Sequence, residues 1–289
     1  MAERADGWRC SGASITGRSH EREGLDCQDA WSVHFTDRDR SCILAACVCD
    51  GAGSAKNGQA GAKLASTMLA RWLGDNFEKA LSEEGEADAL LEAFGAVREA
   101  MERQAAQGEG SLRQYACTVV VVAVGVAGQW LAWHLGDGGI IVQFPDSIRV
   151  LSRPKKGEFA NVTQFITDAD VHTQVECYNS RTYEPTLRPI GFALFTDGIE
   201  GSLFNKKTGE VAPAINAMLR WHETADQAQV SGAIRENLQE VFRKMTDDDC
   251  TLVLLRRLSR DPSERPTVRE VQVLLEPPPA AEIPPGGGR

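Results

Sequence analysis

Two apolar rhythms alternate along the chain. Residues 43–49 and 190–196 are short runs that are apolar on both faces, the pattern of strands covered on two sides. Residues 30–36, 116–124, 129–135, 139–144 and 251–258 also read as strands, and the glycine-rich stretches 125–128 and 136–138 make a meander of the middle three. Between these groups, residues 58–73 place Leu64, Met68 and Leu69 on one helical face. Residues 87–107, 213–221 and 226–242 carry the same period. Residues 152–189 are polar and carry no clear period.

The resulting order is strands, two helices, strands, two helices, strand. It suits an α+β fold better than a strictly alternating βαβ sheet: an αββα sandwich of two mainly antiparallel sheets flanked by helices. One such domain is expected over residues 8–258. Residues 259–289 turn charged and then rich in proline and glycine, and from about residue 277 too few apolar side chains remain to offset the entropy of ordering. That end is expected to be a disordered tail.

Composition narrows the partners. With Lys+Arg 31 against Asp+Glu 41, the net charge is −10, which disfavours nucleic acid and anionic membranes. No signal-like run opens the chain, and the apolar run at 119–127 is too short to span a bilayer, so a cytoplasmic location is expected. The eight cysteines are irregularly spaced and read as core thiols. Cys47 and Cys49 share a strand face but lack the second pair that a zinc site needs.

The chemistry lies where the apolar runs stop. Asp50 and Asp197 each follow a buried run and precede glycine, and Asp248 stands just before the last one. Carboxylates held on stiff strands and brought together would repel by roughly 4 kcal/mol per pair at about 4 Å and an effective dielectric near 20. A cation is needed between them, and hard Mg²⁺ or Mn²⁺ suits sparse oxygen donors.

These residues are part of a longer set: Ser19-His20, Cys27-Gln28-Asp29-Ala30, Asp50-Gly51-Ala52-Gly53-Ser54, Gly136-Asp137-Gly138, Thr196-Asp197-Gly198 and Thr246-Asp247-Asp248-Asp249-Cys250-Thr251. In this order, with residues 157–168, they resemble the metal-dependent (type 2C, PPM) protein phosphatases, in particular a bacterial type-2 subgroup, over roughly residues 10–257. The resemblance implies a metal-dependent serine/threonine protein phosphatase of bacterial signalling, acting through a metal-activated water. Asp50 would bridge two Mg²⁺ or Mn²⁺ ions, Gly51 would offer its carbonyl to one, and Asp197 and Asp248 would complete the other. Asp137 would serve a third, weaker ion, Asp29 would orient the attacking water, and Thr251 would brace the Asp248 loop. The implied partners are a phosphorylated protein and its cognate serine/threonine kinase.

Two positions depart from the family pattern. Gly24 stands where many members have a phosphate-binding arginine, and Ala52 where eukaryotic members have a histidine. His20, in the loop leading to Asp29, is the candidate replacement, with Arg18 or Arg22 nearby. The missing arginine keeps open an alternative, a catalytically weak phosphatase-like module that binds or senses a phosphoprotein. Three other patterns carry less. Cys250 and Arg256 match a cysteine-phosphatase spacing, but the residues between them read as a strand, not a phosphate loop. Gly51-x-Gly53 lacks the third glycine of a dinucleotide fingerprint. His134, on a predicted strand, reads as a core histidine.

Overall fold

The computed structural model describes residues 7–38, 41–108, 110–153 and 163–258. The expected disordered tail and residues 157–162 of the 157–168 stretch lie outside these residues. The strands are β1 (Trp8–Ile15), β2 (Ala30–Arg38), β3 (Ser41–Cys49), β4 (Val119–Gly125), β5 (Trp130–Leu135), β6 (Gly139–Phe144), β7 (Ser147–Ser152), β8 (Glu176–Asn179), β9 (Gly191–Phe195) and β10 (Cys250–Arg257). The helices are α1 (Arg18–Glu23), α2 (Gly58–Asp75), α3 (Phe77–Leu81), α4 (Glu86–Gln107), α5 (Glu200–Leu203), α6 (Pro213–Arg220) and α7 (Gln227–Glu240).

The strands form two five-stranded sheets, ordered β1-β10-β9-β6-β7 and β2-β3-β4-β5-β8, with every named pairing antiparallel. Strand alternation assigns each buried residue to a layer. In β3, Leu44, Ala46 and Val48 face the other sheet, while Ala45, Cys47 and Cys49 face α2 and α4. In β10, Val253 and Leu255 enter the inter-sheet core while Leu252 and Leu254 pack beneath α6 and α7. Three apolar layers follow, helix on sheet, sheet on sheet and sheet on helix, which is the expected αββα sandwich.

Several elements were not predicted from the sequence. β1 is hidden by its content of Arg, Ser and Gly, yet Ser11 is buried, its hydroxyl donating to the Gln227 carbonyl at 3.1 Å. β7, β8, α3 and α5 are short, and β8 falls in the stretch read as irregular. The loop expected around His20 is instead the helix α1, closed by Gly24 at φ +71°. That left-handed conformation favours glycine and would strain an arginine there.

The chain passes from one sheet to the other at Gly136-Asp137-Gly138, where both glycines take φ near +90°. A Cβ on Gly138 would come within 2.6 Å of the Phe195 carbonyl oxygen, so the crossing brings β5, β6 and β9 together at one rim of the sandwich.

Candidate metal centre

That rim collects the carboxylates because of strand direction. β3 and β9 arrive there with Asp50 and, after Thr196, Asp197. β2 and β10 depart from it after Asp29 and Asp248-Asp249, and the sheet-crossing turn supplies Asp137. Asp50 is fixed through its backbone, whose N–H donates to the Thr118 hydroxyl at 3.1 Å while its carbonyl accepts the Thr118 N–H at 2.9 Å. Gly51 is required by close approach: a Cβ there would sit 2.4 Å from the carbonyl carbon of Gly58, where α2 begins.

Oxygens of Asp50, Asp137 and Asp197 lie within 4.8 Å of one another. Asp248 stands beside this group, its Oδ1 accepting the Asp249 N–H at 2.9 Å, and its charge reaches both Asp50 and Asp197. Burial, reinforced by the neighbouring carboxylates, raises the pKa of Asp50 well above the usual range and that of Asp197 to about 7. Burial also raises Asp248. Protonation is thus the protein's own way of relieving a cluster that a divalent cation would relieve by coordination. The donors are all oxygen, and Oδ1 of Asp197 has no hydrogen-bond partner among the described residues. The set therefore fits hard Mg²⁺ or Mn²⁺.

Asp29 lies beneath the cluster. Its Oδ2 accepts the hydroxyls of Thr196 and Thr251, each at 2.8 Å, while Oδ1 has no hydrogen-bond partner among the described residues. Burial, partly offset by the two threonine hydroxyls, holds its pKa well above normal. The Thr251 hydroxyl thus braces Asp29, not the Asp248 loop that the sequence suggested.

Asp249 was missed in the sequence. Buried beside Asp248, it accepts the Gly17 N–H at 2.7 Å on Oδ1 and the Gln28 N–H at 2.6 Å on Oδ2. His20 Nδ1 lies 3.0 Å from the same Oδ1, close but outside hydrogen-bond geometry. One carboxylate thus grips both ends of the segment leading to Asp29. In a run of three aspartates each is a plausible ligand, and only the entry into β10 sorts them. Arg18 and Arg22 both engage Asp247, at 3.3 and 2.9 Å, and are largely exposed.

The remaining candidates fall elsewhere. His134 is a buried core residue whose Nδ1 meets the Ser152 hydroxyl. Cys250 and Arg256 lie at opposite ends of β10, roughly 20 Å apart at strand rise, and Arg256 is bound to Gln143 and Glu223. Cys47 and Cys49 are packed in the apolar layer under α2 and α4, their sulfurs 3.7 Å apart.

The profile of the family described as protein phosphatase 2C matches residues 16–243. Serine/threonine-protein phosphatase 3 of Escherichia coli (strain K12) is 31% identical over 255 residues, covering 86% of this chain and 97% of that protein. Among solved structures, a bacterial serine phosphatase aligns with a TM-score of 0.56 at 16% identity, covering 87% of this chain and 98% of the other. RsbX in complex with magnesium aligns at 0.51 and 14% identity, covering 89% and 98%. At these identities the structures speak for the fold alone, while the extent of the profile match and of the Escherichia coli relative establishes that this chain belongs to the protein phosphatase 2C family.

Proposed function

We propose that the rim of Asp50, Asp137, Asp197 and Asp248 holds two Mg²⁺ or Mn²⁺ ions, with Asp137 serving a third and weaker one, and that the enzyme hydrolyses phosphoserine and phosphothreonine in proteins. The observation that carries this reading is the convergence within 4.8 Å of oxygens from the ends of β3 and β9 and from the sheet-crossing turn. When bound, the cations supply a nucleophile from water near neutral pH and offset charge on the phosphate. The chain's own part is placement. Asp50, on the rigid end of β3, faces both Asp137 and Asp197, and the Gly51 carbonyl is proposed as a further donor. Asp29, held by two threonines on one oxygen, keeps the other for orienting a water. His20, with Nδ1 turned to Asp249, has Nε2 to offer a phosphate oxygen.

The substrate is by chemistry the product of a protein serine/threonine kinase, and a cognate kinase is the proposed functional partner. Eight free cysteines accord with a reducing, cytoplasmic setting. No helix among the described residues is long and apolar enough to cross a membrane. The alternative of a catalytically weak, phosphatase-like binding or sensing module gains no support from the comparisons.

The test is release of phosphate from a phosphothreonine peptide with Mn²⁺ and with chelator. Turnover is expected only with the metal, and Asp50→Asn, Asp197→Asn and Asp248→Asn should each lose about a hundredfold or more. Chelator-insensitive turnover, or near wild-type rates in all three variants at saturating Mn²⁺, would overturn the assignment.

A further inference from the structure

Asp137 is flanked by two glycines, so no adjacent side chain restricts its rotamer. What holds it comes from residues 163–168, which belong to no regular element. Thr163 Oγ1 donates to Asp137 Oδ2 at 2.8 Å. The Gln164 carbonyl oxygen lies 2.8 Å from where a Gly136 Cβ would be, pressed against the same turn. The stretch is itself anchored. The Ile166 N–H donates to the Cys117 carbonyl at 2.9 Å, and Arg98 on α4 donates to the carbonyls of Ile166 and Asp168 at 2.7 and 2.6 Å.

We propose that Thr163 is a positioning residue for cation binding at Asp137: its hydroxyl fixes the orientation of that carboxylate toward Asp50 and Asp197. This rests on the reading of Asp137 as a cation ligand. A hydroxyl donated to a ligating carboxylate commonly changes metal affinity about 10- to 100-fold. Here the donor sits on a segment clamped to α4 and to the entry of β4, so the cation site draws on elements outside the acidic rim.

Calorimetric titration with Mn²⁺ tests this without substrate. Thr163→Val, or Thr163→Ala as a second variant should the first not fold, is expected to weaken the weakest resolved binding step about tenfold. The tighter steps should stay unchanged, and Thr163→Ser should restore the wild-type value. In an Asp137→Asn background, removing the hydroxyl should have no further effect. Weakest-step affinity within about twofold of wild type in the variant would overturn the proposal. So would an equal loss in the Asp137→Asn background, since that marks a general structural role. If Asp137→Asn alone leaves every step unchanged, the ligand reading of Asp137 itself fails, and this outcome is distinguishable from a failure of Thr163.

Discussion

His222 shows how a single side chain can set the acid limit of the fold. It is fully buried in the 3₁₀ turn between α6 and α7. Burial, then the guanidinium charges of Arg9 and Arg256, lowers its pKa from 6.5 to about 3. The folded state keeps the ring neutral while the unfolded chain protonates it below pH 6.5. Its contribution is therefore intact above that value and is lost as pH falls toward about 3, amounting to about 3 kcal/mol by pH 4. His222→Phe is expected to flatten the pH dependence of urea-denaturation stability between pH 6.5 and 4 relative to wild type. Parallel curves would assign the acid limit to other groups. Residue identity was also where the sequence was most legible: Asp50 and Asp197 could be found because apolar runs end on them, whereas Asp249 and Thr163 act through partners far away in sequence and leave no local pattern.

Among the elements, legibility followed apolar composition. β3 and β9 are covered on both faces and are written as apolar runs, and α2 and α4 as amphipathic ones. β1 uses small polar residues against α7, where Gln227 Nε2 also donates to the Cys10 carbonyl at 2.8 Å, so its sequence has no apolar signature. Helix α1 has no buried residue and is held by polar contacts to residues 243–249. The Asp249 carboxylate ties both ends of the segment, so Asp249→Ala would leave the N–H groups of Gly17 and Gln28 without their acceptor at a cost of about 1–3 kcal/mol each. A loss of roughly 2–4 kcal/mol in denaturant unfolding is expected. A loss below about 1 kcal/mol would mean that α1 and the Gln28 turn are secured by other contacts.

For the whole molecule, the acidic rim opposes folding when no cation is bound. A carboxyl whose folded pKa is raised, as Asp197 is from 3.8 to about 7, contributes stability at low pH that is lost as pH rises through that window. The His222 slope runs the other way, so the rim's share is read as the difference between wild type and Asp197→Asn, both metal-free. Stability of the variant relative to wild type should increase from pH 4 to 7. Mn²⁺ should raise the melting temperature of wild type more at pH 7 than at pH 5, because only the folded rim gathers the proposed ligands. A thermal shift independent of pH would contradict the coupling of metal and proton at this site.

The position of β10 carries a consequence for the order of synthesis. It is the last described strand to leave the ribosome, yet it lies between β1, the first, and β9, and it brings Asp248 and Asp249 with it. Until it emerges, β1 has no partner among the described strands, the segment from Gly17 to Gln28 lacks the Asp249 carboxylate that grips both its ends, and the rim lacks its final carboxylates. A nascent chain that stops short of residue 248 already contains every strand of the other sheet, but it lacks Asp248, one of the proposed cation ligands. On the proposed reading of the rim, phosphatase activity is therefore expected only once the closing strand is in place.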